Sequence, residues 1–308
     1  MNRWRNKKYY RSYLEDLFLD MGIKIALVLL AVATLYPFWN TIVVSFNDAT
    51  DTLRGGLTIW PRRISFQNYK AVFASGTIYN AFLVSVARVI CSTLGNIFLT
   101  SMLAYALSRK EFVLRKHFTF ILILSMYVSA GLIPYYFLIR SLGLLNTFWV
   151  YVIPGLVNAF NFIVIRTYMG TIPDSLIESA RIDGSGDFLI FIRIILPLIT
   201  PVLATVALFV AVGNWNSWFD TMIFASGRQE LSTLQYELMK FLASSQNQAK
   251  SAADVGAMGM AKDYVSSIVT PASIRAAITV VAAAPILVVY PFLQRYFVIG
   301  LTVGGVKE

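Results

Sequence analysis

The stretch TIPDSLIESARIDGSGDFLIFIRIILP, Thr171 to Pro197, predicts two short helices joined by a tight turn. Pro173 is typical of a helix start, and Asp174 adds a carboxylate to the first turn, where the helix dipole favours negative charge. Gly184 opens the Gly-Ser-Gly sequence that ends the first helix. A second helix is expected from Asp187 to Leu196, leading to the proline.

The first of these helices carries an apolar stripe next to small residues. Leu176, Ile177 and Ala180 are spaced to lie on one face of a helix. Ser179 and Ala180 are small enough to let another backbone approach closely. An exposed apolar stripe needs a surface to cover it, so we expect a partner protein, the bilayer surface or the membrane-facing ends of the chain itself.

The composition around this stretch is that of an integral membrane protein. Hydrophobic residues make up 57% of the 308 residues and charged residues only 14%, whereas about a quarter of a soluble domain is charged. The net charge of +10 comes mainly from basic residues between the apolar runs. That distribution indicates cytoplasmic loops and argues against a nucleic-acid partner.

Six apolar runs are long enough to cross a bilayer, which takes about 20 apolar residues. The predicted spans are Gly22–Phe46, Ile78–Leu107, Phe118–Ile139, Thr147–Ile165, Leu198–Ala225 and Ile274–Val298. The first run is longer than a signal-peptide core, so we interpret it as a retained helix. The chain then consists of a tail of residues 1–21, a membrane domain of residues 22–299 and a tail of residues 300–308.

The basic residues also predict the orientation of the chain. Lys and Arg concentrate in the N-terminal tail and in the loops after the second and fourth spans. Such segments stay in the cytoplasm, so both termini are predicted there, together with the segment 171–197.

Arg88 is the most unusual residue within the predicted spans. At helical rise it lies about 15 Å into the second span, near the bilayer centre, where a charge is costly and usually functional. No carboxylate of this chain is predicted at that depth. Its partner is expected to be an acidic group of another subunit, backbone carbonyls, water or an anionic solute. The hypothesis is that Arg88 faces the translocation path, and the alternative is a structural pairing.

Amide and tryptophan side chains within the predicted spans offer further candidates for contact with a polar solute. Asn158 and Asn161 are three residues apart and are predicted to share a face of the fourth span. Asn214, Trp215 and Asn216 lie toward the outer end of the fifth span. The alternatives are helix–helix hydrogen bonding for the asparagines and an interfacial aromatic belt for the tryptophan.

Several function classes lack their motifs. The sequence has no G-x-x-x-x-G-K-[ST] loop, so ATP is not expected to bind to this chain. The lone Cys91 and the lone His117 do not predict a metal site, and no catalytic constellation is present. We therefore predict a non-enzymatic chain without catalytic residues, metal or cofactor. Asp220 is the only carboxylate that approaches a span, which argues against an ion-coupled secondary transporter.

The segment 171–197 resembles the EAA loop of binding-protein-dependent ABC importers. The family pattern E-A-A-x-x-D-G-A, then I-x-L-P, appears as Glu178-Ser179-Ala180-x-x-Asp183-Gly184-Ser185 and Ile194-x-Leu196-Pro197, with serine replacing alanine twice. The resemblance implies an all-α fold with six transmembrane helices, the type I importer permease fold, and a cytoplasmic coupling loop. The residues implied in coupling to the ATPase are Leu176, Ile177, Glu178, Ser179, Ala180, Asp183 and Gly184.

Further motifs resemble the sugar-importing, maltose-type branch of that family, and the C-terminal ones its Gram-positive group linked to complex oligosaccharides. They are Asn68-Tyr69-Lys70, Ala104 to Arg109, Gly143 to Thr147, Trp215-Asn216, Tyr290 to Phe297 and Gly304 to Lys307.

The resemblance implies a multi-pass subunit of the bacterial cytoplasmic membrane that passes an oligosaccharide. The implied partners are a second permease, an ATPase dimer that binds ATP and Mg, and an extracellular sugar-binding lipoprotein. An ABC permease for another solute and an ion-coupled transporter remain the alternatives.

Overall fold

The computed structural model describes residues 3–56, 59–74, 76–243 and 270–303, and most of them are helical. Within these residues no β-strand forms, and one isolated bridge joins Asn47 to Ile64. The helices are α1 (Arg3–Phe46), α2 (Ala49–Thr52), α3 (Gln67–Ala74), α4 (Gly76–Ser108), α5 (Arg115–Tyr127), α6 (Leu132–Ser141), α7 (Ala159–Met169), α8 (Asp174–Ile182), α9 (Asp187–Leu198), α10 (Thr200–Asn216), α11 (residues 234–243) and α12 (Pro271–Val303). The end of the predicted C-terminal tail, residues 304–308, and its Gly304 to Lys307 motif lie outside the described residues.

Two of these helices are long and apolar enough to cross a membrane, namely Leu19–Phe46 within α1 and the whole of α4. Two bent pairs of helices also qualify when each pair is taken as one span. Short turns at Phe148–Gly155 meet α7 at 45°, and α9 meets α10 at 81°. Length and composition therefore give two to four spans among the described residues.

Three of the predicted spans are interrupted where the sequence suggested continuous helices. The third span breaks at residues 128–131 between α5 and α6, where Gly131 adopts a φ of 83° that other residues rarely tolerate. The fourth span begins with 3₁₀ turns, and its α-helix starts only after Asn158. The fifth breaks after Asn216 and resumes as a π-helical turn, Thr221–Ala225.

The irregular backbone of the fourth span is hydrogen-bonded by one face of α4. Ser92 donates to the carbonyl of Tyr151 at 3.0 Å, Asn96 to that of Gly155 at 2.7 Å, and Thr100 to that of Leu156 at 3.3 Å. The three donors are four residues apart, one helical turn each. Non-helical backbone at membrane depth needs such partners because no water is available there. We call this row the α4 donor ladder.

The described residues divide into two compact units, one with residues 3–56, 59–72 and 270–280 and the other with residues 73–74, 76–243 and 281–303. In the first unit, buried Asn47 donates to Asp51 at 3.0 Å, and Asp51 pairs with Arg62 at the same distance. Asn68 donates to the carbonyls of Ser45 and Asn47, both at 2.9 Å. These bonds fold the segment after α1 back onto the end of that helix.

The core of the second unit forms where α4, α7, α9 and α10 meet. Phe162, Ile165, Phe191 and Val206 are all buried in this cluster. Tyr105 of α4 contributes as well, with its ring centroid 5.5 Å from that of Phe191. The cluster reaches the end of α4 and includes two residues of α8, which positions the segment described next.

Candidate functional site

The segment after α7 forms the predicted helix, turn and helix. α8 begins directly after Pro173 and ends at Ile182. The chain reverses at Gly184, where φ is 82°, and the N–H of Ser185 donates to the carbonyl of Ala180 at 2.9 Å. α9 starts at Asp187, as predicted.

α8 has an inner and an outer face, and the predicted apolar stripe is divided between them. Ile177 is 3% exposed and Ala180 is also buried, and both belong to the core cluster that includes Leu107 of α4. Leu176 is 44% exposed and Ile182 is 87% exposed. Of the three expected covers, the chain itself buries the inner edge of the stripe, in the cluster that contains the ends of α4 and α7, whereas Leu176 stays exposed.

The outer face consists of exposed, mostly small or apolar side chains. Ser179 lies on it and donates to the carbonyl of Ser175 at 2.9 Å. Glu178 and Asp183 are exposed as well, and so is the turn at Gly184. Of the residues implied in coupling, four thus lie on the open side of α8 and its turn: Leu176, Ser179, Asp183 and Gly184. Glu178 is exposed too, but it lies at the edge that faces the segment after α4, where it lines a small cavity with Lys110 and Arg181.

Ion pairs join both ends of α8 to the residues that directly follow α4. Lys110 Nζ lies 2.7 Å from Asp174 Oδ2, and Arg181 lies 2.5 Å from Glu111 Oε1. Arg181 also pairs with Asp187 of α9 at 2.9 Å. These bonds lower the pKa of Asp174 and of Glu111 and raise the pKa of Lys110, because each stabilises the charged form. Asp174, Glu111 and Lys110 are therefore charged at neutral pH, and so is Arg181, because a guanidinium does not lose its proton in that range.

The turn after α8 provides a direct test of its backbone geometry. No heavy atom lies within 4 Å of a β-carbon placed on Gly184 or on Gly186, but only Gly184 has a positive φ. Gly184→Ala is expected to destabilise the turn by about 1–2 kcal/mol, the cost of left-handed backbone for an L-residue. Gly186→Ala, at ordinary φ, is the matched control. Thermal unfolding of the purified chain should separate the two, and equal midpoints would contradict the assignment.

Arg88 lies in a second cluster, at the break in the fifth span. Its side chain is 3% exposed and forms an ion pair with Asp220. Its Nε donates to Asn214 Oδ1 at 3.2 Å, and its guanidinium also bonds the carbonyl of Ser217 at 3.4 Å. The guanidinium lies 4.7 Å from the ring centroid of Tyr151. Arg88 thus ties together the two sides of the interruption at residues 217–218.

This cluster corrects the expectation that no carboxylate of the chain reaches Arg88. That expectation assumed a continuous fifth helix with Asp220 toward its far end. The break after α10 and the long arginine side chain bring the two groups together. The sequence contained one signal for it, since Asp220 is the only carboxylate within the six predicted spans. Nothing in the sequence pointed to Tyr151 or to the carbonyl of Ser217.

The remaining candidate path residues have separate partners. Trp215 is buried and donates from Nε1 to the carbonyl of Ala282 at 2.8 Å. Asn216 is exposed and accepts from Gln235 at 3.5 Å. Asn158 accepts from the N–H of Asn161 at 3.0 Å as the cap of α7.

Asn161 itself is buried and donates to Asn96 at 3.0 Å. The expected shared helix face of Asn158 and Asn161 was therefore wrong, because α7 begins between them. Only Asn214 of the predicted amides joins Arg88. Among the described residues, no group of three or more His, Cys, Asp or Glu side chains is arranged to hold a metal ion.

The described residues therefore combine long apolar helices, interrupted spans and the helix–turn–helix segment that follows α7. The family profile described as "Binding-protein-dependent transport system inner membrane component" matches residues 96–303. The chain belongs to this family, whose members are multi-pass membrane components of transporters.

Named relatives cover nearly the whole chain. The "Polygalacturonan/rhamnogalacturonan transport system permease protein YtcP" of Bacillus subtilis (strain 168) is 33% identical over 296 residues, 96% of this chain and 100% of that protein. "Protein LplC" of the same organism is 35% identical and covers 89% of this chain and 90% of its own length. The "Arabinooligosaccharides transport system permease protein AraQ" of Halalkalibacterium halodurans is 28% identical, covering 92% and 95% of the two chains.

A solved structure has the same fold. It is described as a "bacterial ABC transporter involved in the import of the acidic polysaccharide alginate". Its matching chain has a TM-score of 0.81 and 28% identity, and the match covers 92% of this chain and 98% of that one.

Proposed function

We propose that this chain is one of two membrane-spanning subunits through which an ATP-driven importer passes an oligosaccharide delivered by an extracellular binding protein. ATP hydrolysis would take place on separate subunits, which bind ATP and Mg. The observation that carries the proposal is the division of α8. Its inner face is packed against its own chain, and its outer face, with Leu176 and Ile182, is exposed and free to receive a partner.

The outer face of α8 is suited to a protein partner more than to the bilayer. A helix that lies on a membrane presents its widest apolar face to the lipid and surrounds it with basic residues. Here the widest apolar face is already buried, and the outer face mixes Leu176 and Ile182 with serines and Asp183. Apolar contacts within a polar rim are typical of a protein interface.

We propose six spans, with both termini in the cytoplasm. Four spans correspond to α1, α4 and the two bent pairs. The other two are assigned to the broken pair α5–α6 and to α12. The basic N-terminal tail and the lysine-rich and arginine-rich segment after α4 support this orientation. It places α8 and the ion pairs around it on the cytoplasmic side, where an ATPase dimer would be found.

An oligosaccharide is the proposed solute because one relative, 28% identical, is named for transport of arabinooligosaccharides, and another, 33% identical, for transport of polygalacturonan and rhamnogalacturonan. Arg88, Asn158, Asn161, Asn214, Trp215 and Asn216 remain the proposed path or substrate residues. Asn216 and Asp220 are the better placed for direct contact, because Arg88, Asn161 and Trp215 are buried. The buried three would act by holding the spans that surround the path.

The ATPase contact is tested by co-purification with the cognate ATPase and the second permease. Leu176→Arg and Glu178→Arg, both on exposed positions of α8, are expected to reduce ATPase recovery about tenfold or more, as for the loss of a central interface contact. Leu53→Arg, at a leucine in the segment after α1 that is more exposed than Leu176, is the control. All three variants should retain the second permease. Equal ATPase recovery by all of them would contradict the proposal.

A further inference from the structure

We propose that Lys110 and Glu111 form a two-point clasp on α8, and that this clasp transmits the movement of α8 to α4. Lys110 and Glu111 would act as positioning residues of the transport cycle and would not contact the ATPase or the sugar. The inference rests on the proposed docking of an ATPase on α8. Beyond that function, it identifies α4 as the helix that receives the movement of α8, and Lys110 and Glu111 as the side chains that transmit it.

The geometry of the clasp follows from the spacing of its residues. Asp174 and Arg181 are seven residues apart, so they lie on nearly the same line of the helix, about 10 Å from each other. Lys110 and Glu111 are adjacent in sequence and have opposite charges, which match the opposite charges on α8. Only one arrangement of the two pairs is favourable, because exchanging the partners would place Lys110 against Arg181 and Glu111 against Asp174, which carry like charges.

Between its two charged ends α8 is held by a single large apolar contact. Ile177 lies between Asp174 and Arg181 on the inner face and packs into the core cluster with Leu107 of α4. A helix held at that point alone could roll or tilt about it. With a charged contact on each side of Ile177, a push on the outer face has to move α8 and the end of α4 together.

The clasp also extends to the helix that follows. Arg181 donates to Asp187 from both Nε, at 3.3 Å, and a terminal nitrogen, at 2.9 Å. Asp187 begins α9, which leads directly to α10. One arginine thus connects α8, the segment after α4 and the start of the fifth span. A cavity of about 70 Å³ lies between α8 and the segment after α4. It leaves room for these long side chains to change rotamer.

Stability alone is a poor explanation for these pairs. Lys110, Asp174, Glu111 and Asp187 are all more than half exposed, and exposed pairs contribute little to folding. A role in transmission requires only that the ion pairs keep α8 in a fixed orientation relative to the end of α4 during the transport cycle. The two roles therefore predict different results when the charges are changed.

The test uses the complete transporter in proteoliposomes with its binding protein and measures sugar uptake per ATP hydrolysed. Lys110→Glu and Asp174→Lys are each expected to lower this ratio about fivefold or more, the scale of an energetic coupling of roughly 1 kcal/mol. The double variant, which restores opposite charges, should return to within about twofold. Lys116→Glu makes the same charge change on the exposed first turn of α5 and is the matched control.

Co-purification of the ATPase with each variant separates the possible outcomes. A lower uptake ratio with normal ATPase recovery and rescue by the double variant supports the clasp. An unchanged ratio in the single variants overturns it, and so does a failure of the double variant to rescue. Loss of the ATPase from the single variants also overturns it, because these residues would then form the docking surface. Failure of the unmodified chain to recover any ATPase would instead refute the proposed function itself.

Discussion

Arg88→Gln is expected to reduce sugar uptake about tenfold and to lower the midpoint of thermal unfolding of the purified transporter. The change removes the donors that serve Asp220, Asn214 and the carbonyl of Ser217. Breaking a buried ion pair costs about 3–5 kcal/mol when both partners are fully buried. Asp220 is 37% exposed, so water recovers part of that loss, and we expect about 2 kcal/mol.

A second substitution tests whether the loss in Arg88→Gln comes from leaving the charge of Asp220 without its partner. Asp220→Asn removes the carboxylate charge and keeps the shape, so Arg88→Gln with Asp220→Asn should be less harmful than Arg88→Gln alone. Arg140→Gln, at an exposed arginine in the last turn of α6, is the control and should leave both uptake and unfolding unchanged. An Arg88→Gln protein with normal unfolding and normal uptake would show that the break in the fifth span holds without this cluster.

Ile177→Asp is expected to prevent stable folding of α8 and of the helix ends that pack against it. The side chain is 3% exposed within the core cluster of α4, α7 and α9. Burying a carboxylate there costs several kcal/mol, and the lost apolar contacts add about 2 kcal/mol more. We expect a large fall in the yield of folded protein in membranes, measured by size-exclusion chromatography in detergent. Ile177→Val should cost only about 1 kcal/mol.

The control for Ile177 lies on the same helix. Ile182 is 87% exposed, so Ile182→Asp should leave the yield of folded protein unchanged while weakening ATPase recovery. This pair of variants distinguishes the two faces of α8 by different measurements. Equal yields for Ile177→Asp and Ile182→Asp would contradict the burial of the inner face.

Local patterns predicted the elements whose structure depends on nearby residues. The start of α8, its end at the Gly-Ser-Gly turn and the bounds of α4 to within two residues all follow from proline, glycine and hydrophobic runs. The interruptions of the fourth and fifth spans could not be predicted from such patterns, because they depend on residues far away in the sequence. The 3₁₀ turns are stabilised by the α4 donor ladder, and the break after α10 by Arg88. Hydropathy alone cannot distinguish such a segment from a continuous helix.

The candidate site was predictable only where it depends on local sequence, and its long-range contacts were not. The sequence identified α8 and its turn from local spacing, but not which of Leu176 and Ile177 the chain itself would bury. Arg88 was recognised from its depth in the second span, whereas its partner became apparent only with the break near Asp220. The ion pairs of Lys110 and Glu111 join residues about 64 and 70 positions apart. No local pattern indicates a pairing over that distance.

The α4 donor ladder restricts how the second and fourth spans can move. Its three donors, Ser92, Asn96 and Thr100, point at carbonyls of one short irregular segment. A sliding of α4 by half a turn, about 3 Å, would break all three bonds at once and leave the carbonyls without partners in a dry environment. Sliding between these two spans is therefore strongly resisted. During transport they are expected to travel as a single rigid body, with rearrangement confined to the other boundaries of the helix bundle.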